Sequence, residues 1–297
     1  MAAALMLQDA EIALDTFADG EPRIVRELDQ SDEMEVLEFL GARPVHTVFM
    51  ATLIRDNGLV SSHNRGSFYA CRSRHSELEG VALLGHATVV EAHTENSLAT
   101  FAGLARNCQS AHLIRGERKT INRFWEYYAS AGKQPRLVCR ELLFELREDS
   151  PIDESVNDLR PATIDDLDKI VTVNASMAFE QCGISPLQMD AAGFRNRIAR
   201  RIEKGRVWVW IRDNRLIFKA DVIGETAEVT YLEAVHVHPE ERRKGYGLRC
   251  LKQLSSNLLS RSRSICLTVN HRDKNAVTFY SKAGYRFHSH YETIYLR

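Results

Sequence analysis

The chain has 297 residues, 44% hydrophobic and 27% charged, enough apolar material for a packed core and too much for wholesale disorder. Its 39 basic and 40 acidic side chains nearly cancel, so bulk charge argues against a nucleic-acid or membrane-surface binder. The cancellation conceals an asymmetry: residues 1–150 carry 16 basic and 22 acidic groups, residues 151–297 carry 23 and 18. Two units are suggested, the second either suited to a small anion or simply bearing more solvated basic surface.

Met1 to Leu7 have neither the basic start nor the length of a secretory leader. No run approaches the roughly 18 apolar residues of a membrane span. Six scattered cysteines form no CxxC pair, so reduced thiols in a cytoplasmic protein are expected. No repeat of 20–50 residues is visible.

In chain order, the first half reads as mixed α/β. A helix is expected over 45–55, strands over 67–72, 80–84 and 87–91, a helix over 97–107, a strand over 111–115, a helix over 117–130 and a strand over 137–146. His86, His93 and His112 are isolated, and no catalytic constellation is seen. The polar, acidic stretch 147–158, with Pro151, is the expected linker, giving domains at 1–150 and 157–297.

The second half opens with a strand at 159–162 and a helix from Thr163, an N-cap with Asp165 and Asp166 in the first turn. A helix over 194–204 and a hairpin of 207–211 with 216–222 around Asp213-Asn214 follow. The strand 228–237 reads as buried on both faces near its end. An amphipathic helix through Leu248, Leu251, Leu254 and Leu258, a strand over 264–269, a helix over 275–282 and a strand over 285–296 complete the chain.

The informative segment is Val235-His-Val-His-Pro-Glu-Glu-Arg-Arg-Lys-Gly-Tyr-Gly-Leu248. A strand runs through Pro239 into a basic turn that opens a helix. Helix-start N–H groups lack partners and carry the positive end of the peptide dipoles. Gly245 and Gly247 would let a phosphate approach the backbone, and Arg242, Arg243 and Lys244 add full charges. The alternative is a tight turn with a solvated basic cluster. A nucleotide P-loop and a dinucleotide fingerprint are both excluded, for want of Gly-Lys-Ser/Thr and of a full GxGxxG.

These residues carry a resemblance. Arg242-x-x-Gly245-x-Gly247 after Val-x-Val-x-Pro resembles the acetyl-CoA pyrophosphate loop of the GNAT superfamily of N-acetyltransferases, and Asp273-Lys-Asn-Ala276-Val-Thr-Phe-Tyr280-Ser-Lys-Ala-Gly284-Tyr-Arg-Phe287 resembles the motif that follows it, Asn-x-x-Ala-x-x-Leu-Tyr and then Gly-Phe. The match extends over about 157–297. The first half resembles the same fold in element order only. It has no paired glycine or basic cluster between its strand at 87–91 and its helix at Ser97, as in the degenerate partner of tandem GNAT proteins. The resemblance implies an α/β fold: two GNAT-like domains in tandem, each a mostly antiparallel mixed sheet flanked by helices.

It further implies that the backbone of Val235, His236 and Val237 pairs with the pantetheine arm of acetyl-CoA. Residues Arg242, Arg243, Lys244, Gly245, Tyr246, Gly247 and Leu248 would hold the pyrophosphate. Tyr280 would face the CoA sulfur as the proton donor to the departing thiolate; the alternative is a core aromatic. Glu233 is the implied base for an attacking amine, or else a structural or substrate-orienting carboxylate. Tyr231 and Thr268 occupy two other base positions, where neither serves as a base. Strand alternation points His236 away from Glu233. Asp273 stands where the family has Asn, so a carboxylate would lie near the CoA phosphates, and Asn275 is the substitute. His236-x-His238 and His288-x-His290 lack a third ligand, so no metal site is expected. Arg195, Arg197, Arg200 and Arg201 either favour an acidic acceptor or form a solvated helix face. The expected activity is acyl transfer from acetyl-CoA to an amine. A non-catalytic acyl-CoA sensor and a protein-interaction module are the alternatives.

Overall fold

The computed structural model describes residues 12–13 and 24–297, apart from 130, 131, 133, 150, 152 and 153. Residues 1–7 and part of the expected 147–158 linker lie outside the described residues.

The chain divides into two compact units that are interleaved along the sequence. Unit 1 takes residues up to Arg43, then Leu53–Val138 and Glu292–Arg297; unit 2 takes Pro44–Thr52 and Cys139–Tyr291.

In unit 1 the sheet order follows the chain: β1 (Ile12–Ala13), β2 (Ile24–Glu27), β3 (Gly66–Arg72), β4 (Leu78–Gly85), β5 (Ala87–Ala92) and β6 (Leu113–Glu117). All pairings are antiparallel except β5 with β6. Helices α1 (Glu33–Gly41), α3 (Glu95–Arg106) and α4 (Arg118–Tyr128) belong to this unit. Leu98, Phe101, Ala102 and Ala105 of α3 and Ile121 and Phe124 of α4 form a core with Ala82, Val90 and Ile114.

α2 (Pro44–Asn57) begins in unit 2 and ends in unit 1. In unit 2 the sheet runs β7 (Leu137–Leu146), β12 (Ser264–Asn270), β11 (Val229–Val237), β10 (Arg215–Glu225), β9 (Val207–Arg212) and β8 (Arg160–Pro161), antiparallel except β11 with β12. α5 (Leu167–Cys182) and α6 (Pro186–Glu203) cover one set of apolar residues, including Ile170, Ile198, Val207 and Val209. α7 (Tyr246–Leu259) and α8 (Lys274–Lys282) cover another, with Leu251, Leu254, Leu258 and Tyr280 against Phe218, Leu232, Ile265 and Leu267. The last strand, β13 (Arg286–Tyr295), lends residues up to Tyr291 to unit 2 and the rest to unit 1.

Local sequence explains most boundaries. Asp213 and Asn214 both take positive φ, 50° and 59°, the twist a two-residue hairpin turn needs. α6 contains a non-helical residue, Asp190, whose carboxylate accepts from the Gly193 amide at 2.8 Å. The expected helix over 194–204 is the part after that kink. Unanticipated elements are β1, β2 and α1. α1 buries only Val36 and Leu40, too few for a readable stripe.

The two units begin alike. Asp29 starts a short turn before α1, and its N–H donates to Asp32 at 3.0 Å while Arg26 donates to the same carboxylate oxygen at 2.8 Å. Thr163, Asp166 and Arg160 repeat this before α5 at 2.9 and 2.8 Å. The steps are the same in both: Arg, three residues to the cap, three more to the carboxylate.

Candidate functional site

β11 and β12 pair in parallel from Val229 and Ser264 up to Leu232 and Leu267, and the paired register ends there. Beyond it β11 is only half-buried from Glu233 to Val237. The expectation of a strand end buried on both faces is therefore corrected: the strand loses its parallel neighbour and opens a cleft. The cleft measures about 1110 Å³ and is walled by Val235, His236 and Val237, by Arg242, Arg243, Gly245, Gly247 and Leu248, and by Asp273, Asn275 and Tyr280.

α7 starts at one end of this cleft. Its N-cap, Gly245, has φ +83° and offers no side-chain cap, so the amides of Tyr246, Gly247 and Leu248 have no intrahelical partner. A Cβ on Gly245 would meet nothing within 4 Å, so the approach is open and the glycine is required by backbone angle. Gly247 differs. A Cβ there would sit 2.6 Å from Val237 Cγ2, so this glycine lets α7 pack on β11.

The basic cluster is partly committed elsewhere. Arg242 Nε donates to the Val237 carbonyl at 3.0 Å. Lys244 donates to Glu241 at 3.0 Å, and that bond keeps the Glu241 carboxyl below its usual range. Tyr246 lies edge-on to Trp210, with Arg212 and Arg249 over its ring. Neither Lys244 nor Tyr246 lines the cleft; Arg243 does, exposed and with φ +64°. Asp273 is the N-cap of α8 and accepts from the Ala276 amide at 2.9 Å, so its carboxylate serves the helix that carries Tyr280.

The face assignments depend on a bulge. Ala234 has φ +49°, and the register slips there: Glu233 faces Asp221 and His236 faces Lys219. Two residues of β10 are matched by three steps of β11. The extra residue cancels strand alternation and puts Glu233 and His236 on one face, correcting the expectation that they diverge. Tyr231 donates to the Glu233 carboxylate in a close contact and lies 3.4 Å from the Thr268 hydroxyl. Three positions separated in sequence meet where the strands part.

Two further groups on the cleft wall have displaced acidities. Burial pushes the Tyr280 phenol up, with a smaller contribution from the Asp273 charge. Burial, then the charges of Lys219, Arg242 and His238, brings His236 down to about 4. Sequence reasoning placed Glu180 in a pocket-lining loop, Phe179–Leu187, missed Met177 and Phe279 on the cleft wall, and gave no role to the buried Lys219 and Asp221. The available signal is two charges, two residues apart, in the otherwise apolar interior of a strand. Of the four arginines of α6, Arg195 pairs with Asp168, Arg197 with Asp190 at 3.1 Å and Arg201 with Asp221 at 3.0 Å. Among the described residues no group of three or more His, Cys, Asp or Glu side chains is arranged to hold a metal.

A mixed sheet whose parallel strand pair parts beside a glycine-started helix is the fold of GNAT acetyltransferases, built here as two GNAT-like halves in tandem. Residues 220–294 match the family model described as FR47-like protein. Among solved structures the chain is similar to a Drosophila protein, at 12% identity over 92% of this chain and 98% of that one with a TM-score of 0.68. It is similar to a GNAT-family acetyltransferase from Colwellia psychrerythraea, at 10% identity over 92% and 99% with a TM-score of 0.56. A tandem GNAT protein from the clavulanic acid biosynthesis pathway gives 12% identity over 91% and 98% with a TM-score of 0.56. Comparison with curated protein sequences returned no match.

Proposed function

We propose that the cleft binds acetyl-CoA and that residues 157–297 transfer the acetyl group to an amine, with residues 1–150 a degenerate copy of the same domain. The observation that carries this reading is the uncapped start of α7, with Gly245 open to approach, beside two strands that part. The first feature suits a pyrophosphate and the second an extended thioester arm laid along Val235–Val237. Asn275 and Arg243 on the wall supply further polar contacts.

The chemistry follows from the residues present. The amine nitrogen forms a bond to the thioester carbon as the carbonyl π pair moves to oxygen. Return of that pair breaks the carbon–sulfur bond and releases CoA as thiolate. Glu233 accepts the proton shed by nitrogen, directly or through water, and Tyr280 gives its phenolic proton to the thiolate. Burial keeps that phenol protonated at neutral pH. Attack is direct, in a ternary complex: Cys250, its thiol pushed up to about 12 by burial, is no nucleophile. Tyr280→Phe is expected to lower kcat by about tenfold or more while acetyl-CoA affinity holds; a wild-type rate returns Tyr280 to the core.

A second reading, an acyl-CoA sensor without turnover, is favoured by the engagement of Glu233 by Tyr231. Thermal unfolding with acetyl-CoA, followed by CoA-thiol release with a panel of amines, separates the readings. Stabilisation by about 2.7 kcal/mol at 100 times Kd with amine-dependent thiol release supports the enzyme. Stabilisation without release supports the sensor, and no stabilisation overturns both. All six cysteines are free thiols, in keeping with a cytoplasmic location. Among the described residues no helix is long and apolar enough to cross a membrane.

A further inference from the structure

We propose that Lys219 is a positioning residue that fixes and polarises the Ala234–Val235 peptide at the wall of the cleft. The inference rests on the acetyl-transfer reading above and assigns a role to a side chain that the cleft itself does not expose.

Lys219 is 0% exposed, in the middle of β10. An ammonium has three protons to place, and the structure surrounds it with three oxygens: it pairs with the Asp221 Oδ1 charge at 2.7 Å without a well-aligned hydrogen bond, and it donates to Asn174 Oδ1 at 2.7 Å and to the Ala234 carbonyl at 3.0 Å. The frame around it is itself tied. Asp221 Oδ2 accepts from Asn174 at 2.9 Å and from Arg201 at 3.0 Å. Asn174 therefore holds both members of the ion pair. Burying such a pair does little for stability compared with apolar residues of the same volume. Packing alone gives no reason for a lysine at this place.

The Ala234 carbonyl gives the reason. Ala234 is the left-handed residue of the bulge, and its carbonyl is the one backbone group among the three. A bulge leaves its extra residue out of the ladder, so the surrounding sheet constrains this peptide poorly. The Lys219 tether replaces that constraint. It also brings a charged donor to the peptide oxygen, from a lysine whose charge Asp221 balances on its other side. Hydrogen bonds to a charged donor are the strong ones, and a peptide so polarised becomes a better donor at its own N–H. That N–H belongs to Val235, which lines the cleft. A fixed, strengthened donor there suits an acyl carbonyl oxygen that gains negative charge during attack. The same tether keeps Glu233 and His236 on one face.

The test reads the carbonyl stretch of isotope-labelled acetyl-CoA bound to the full chain by infrared difference spectroscopy, together with kcat and the acetyl-CoA Kd. In the wild type the bound thioester band is expected below that of free acetyl-CoA. A bound but unshifted band overturns the proposal without any variant. Lys219→Met/Asp221→Asn removes both buried charges together, so that neither is left unpaired. It is expected to move the band back toward the free position and to lower kcat about tenfold or more, with Kd within about threefold. Wild-type band and kcat in that variant overturn the proposal, as does a parallel loss of Kd and kcat, which signifies a merely structural lysine. Absence of acetyl-CoA binding to the wild type instead overturns the acetyl-transfer reading itself.

Discussion

Each unit contains one parallel strand pair that parts, and the two forks are filled differently. In unit 2, β11 and β12 separate after Leu232 and Leu267 and leave a cleft. In unit 1, β5 and β6 separate after Thr88 and Ile114. Three residues further on each strand stands a glutamate, and Arg43 donates to both, to Glu91 at 3.0 Å and to Glu117 at 2.6 Å. An ion bridge closes the gap that unit 2 keeps open. The helices that follow differ in the same sense. α3 is capped by Thr94, which accepts from the Ser97 amide, and Glu95 stands in its first turn. Its free amides are partly used and its local charge is negative. α7 starts on a bare glycine. The lesson is physical: unit 2 leaves both the slot and the helix start unsatisfied by the protein itself, and unit 1 satisfies both.

This contrast can be broken from either side. The largest effect is expected from Gly245→Asp, which gives α7 an acidic start like that of α3. The φ of +83° disfavours any side chain, and the carboxylate repels a pyrophosphate. Calorimetry should show acetyl-CoA affinity falling by roughly 100-fold or more; an unchanged Kd would remove the site assignment. The next effect concerns unit 1. Arg43→Met takes away the partner of Glu91, which is 5% exposed, and should cost about 2 kcal/mol in unfolding free energy, allowing for the partial exposure of the arginine. Burial already raises the Glu91 carboxyl above 4.5, against the pull of Arg43. A raised carboxyl makes the folded state bind protons more tightly, so stability is lost as pH rises from 4.5 through the folded value. Melts of the variant and wild type should therefore differ more at pH 7.5 than at pH 4.5, and an equal gap at both would show that the bridge carries no such charge.

The smallest effect sharpens unit 2 alone. His236 stays neutral in the fold down to about 4, whereas the unfolded chain takes up a proton near 6.5. Its contribution is complete above pH 6.5 and is lost as pH falls toward 4. His236→Gln should flatten that acid limb of the melting curve; an unaltered limb would assign the loss to other groups.

Much of this arrangement was readable from sequence. The Asp213-Asn214 turn, the helix over 45–55 and the glycine-started α7 each announce themselves through local chemistry, and the structure contains all three. The bulge does not announce itself. It sits on Ala234, with no glycine or proline to mark it, and is set by pairing against β10. Gly247 reads as a phosphate glycine, and the second demand on it, room for Val237 beneath α7, is set by packing and not by local sequence. The Arg43 bridge joins residues 48 and 74 positions apart, a distance at which charges in sequence carry no pairing information. Local rules reach the elements; long-range pairing decides which slot stays open.

The interleaving of the units bears on how the chain matures at the ribosome. Pro44–Thr52 is synthesised well before the rest of unit 2, yet Val45 and Val48 belong in the same cluster as Val229, Tyr231 and Cys266. Unit 1, in turn, includes residues 292–297, and its cluster contains Ile294. Neither unit is whole until nearly the entire sequence has emerged. The amino-terminal half therefore lacks part of its own core until Ile294 is made.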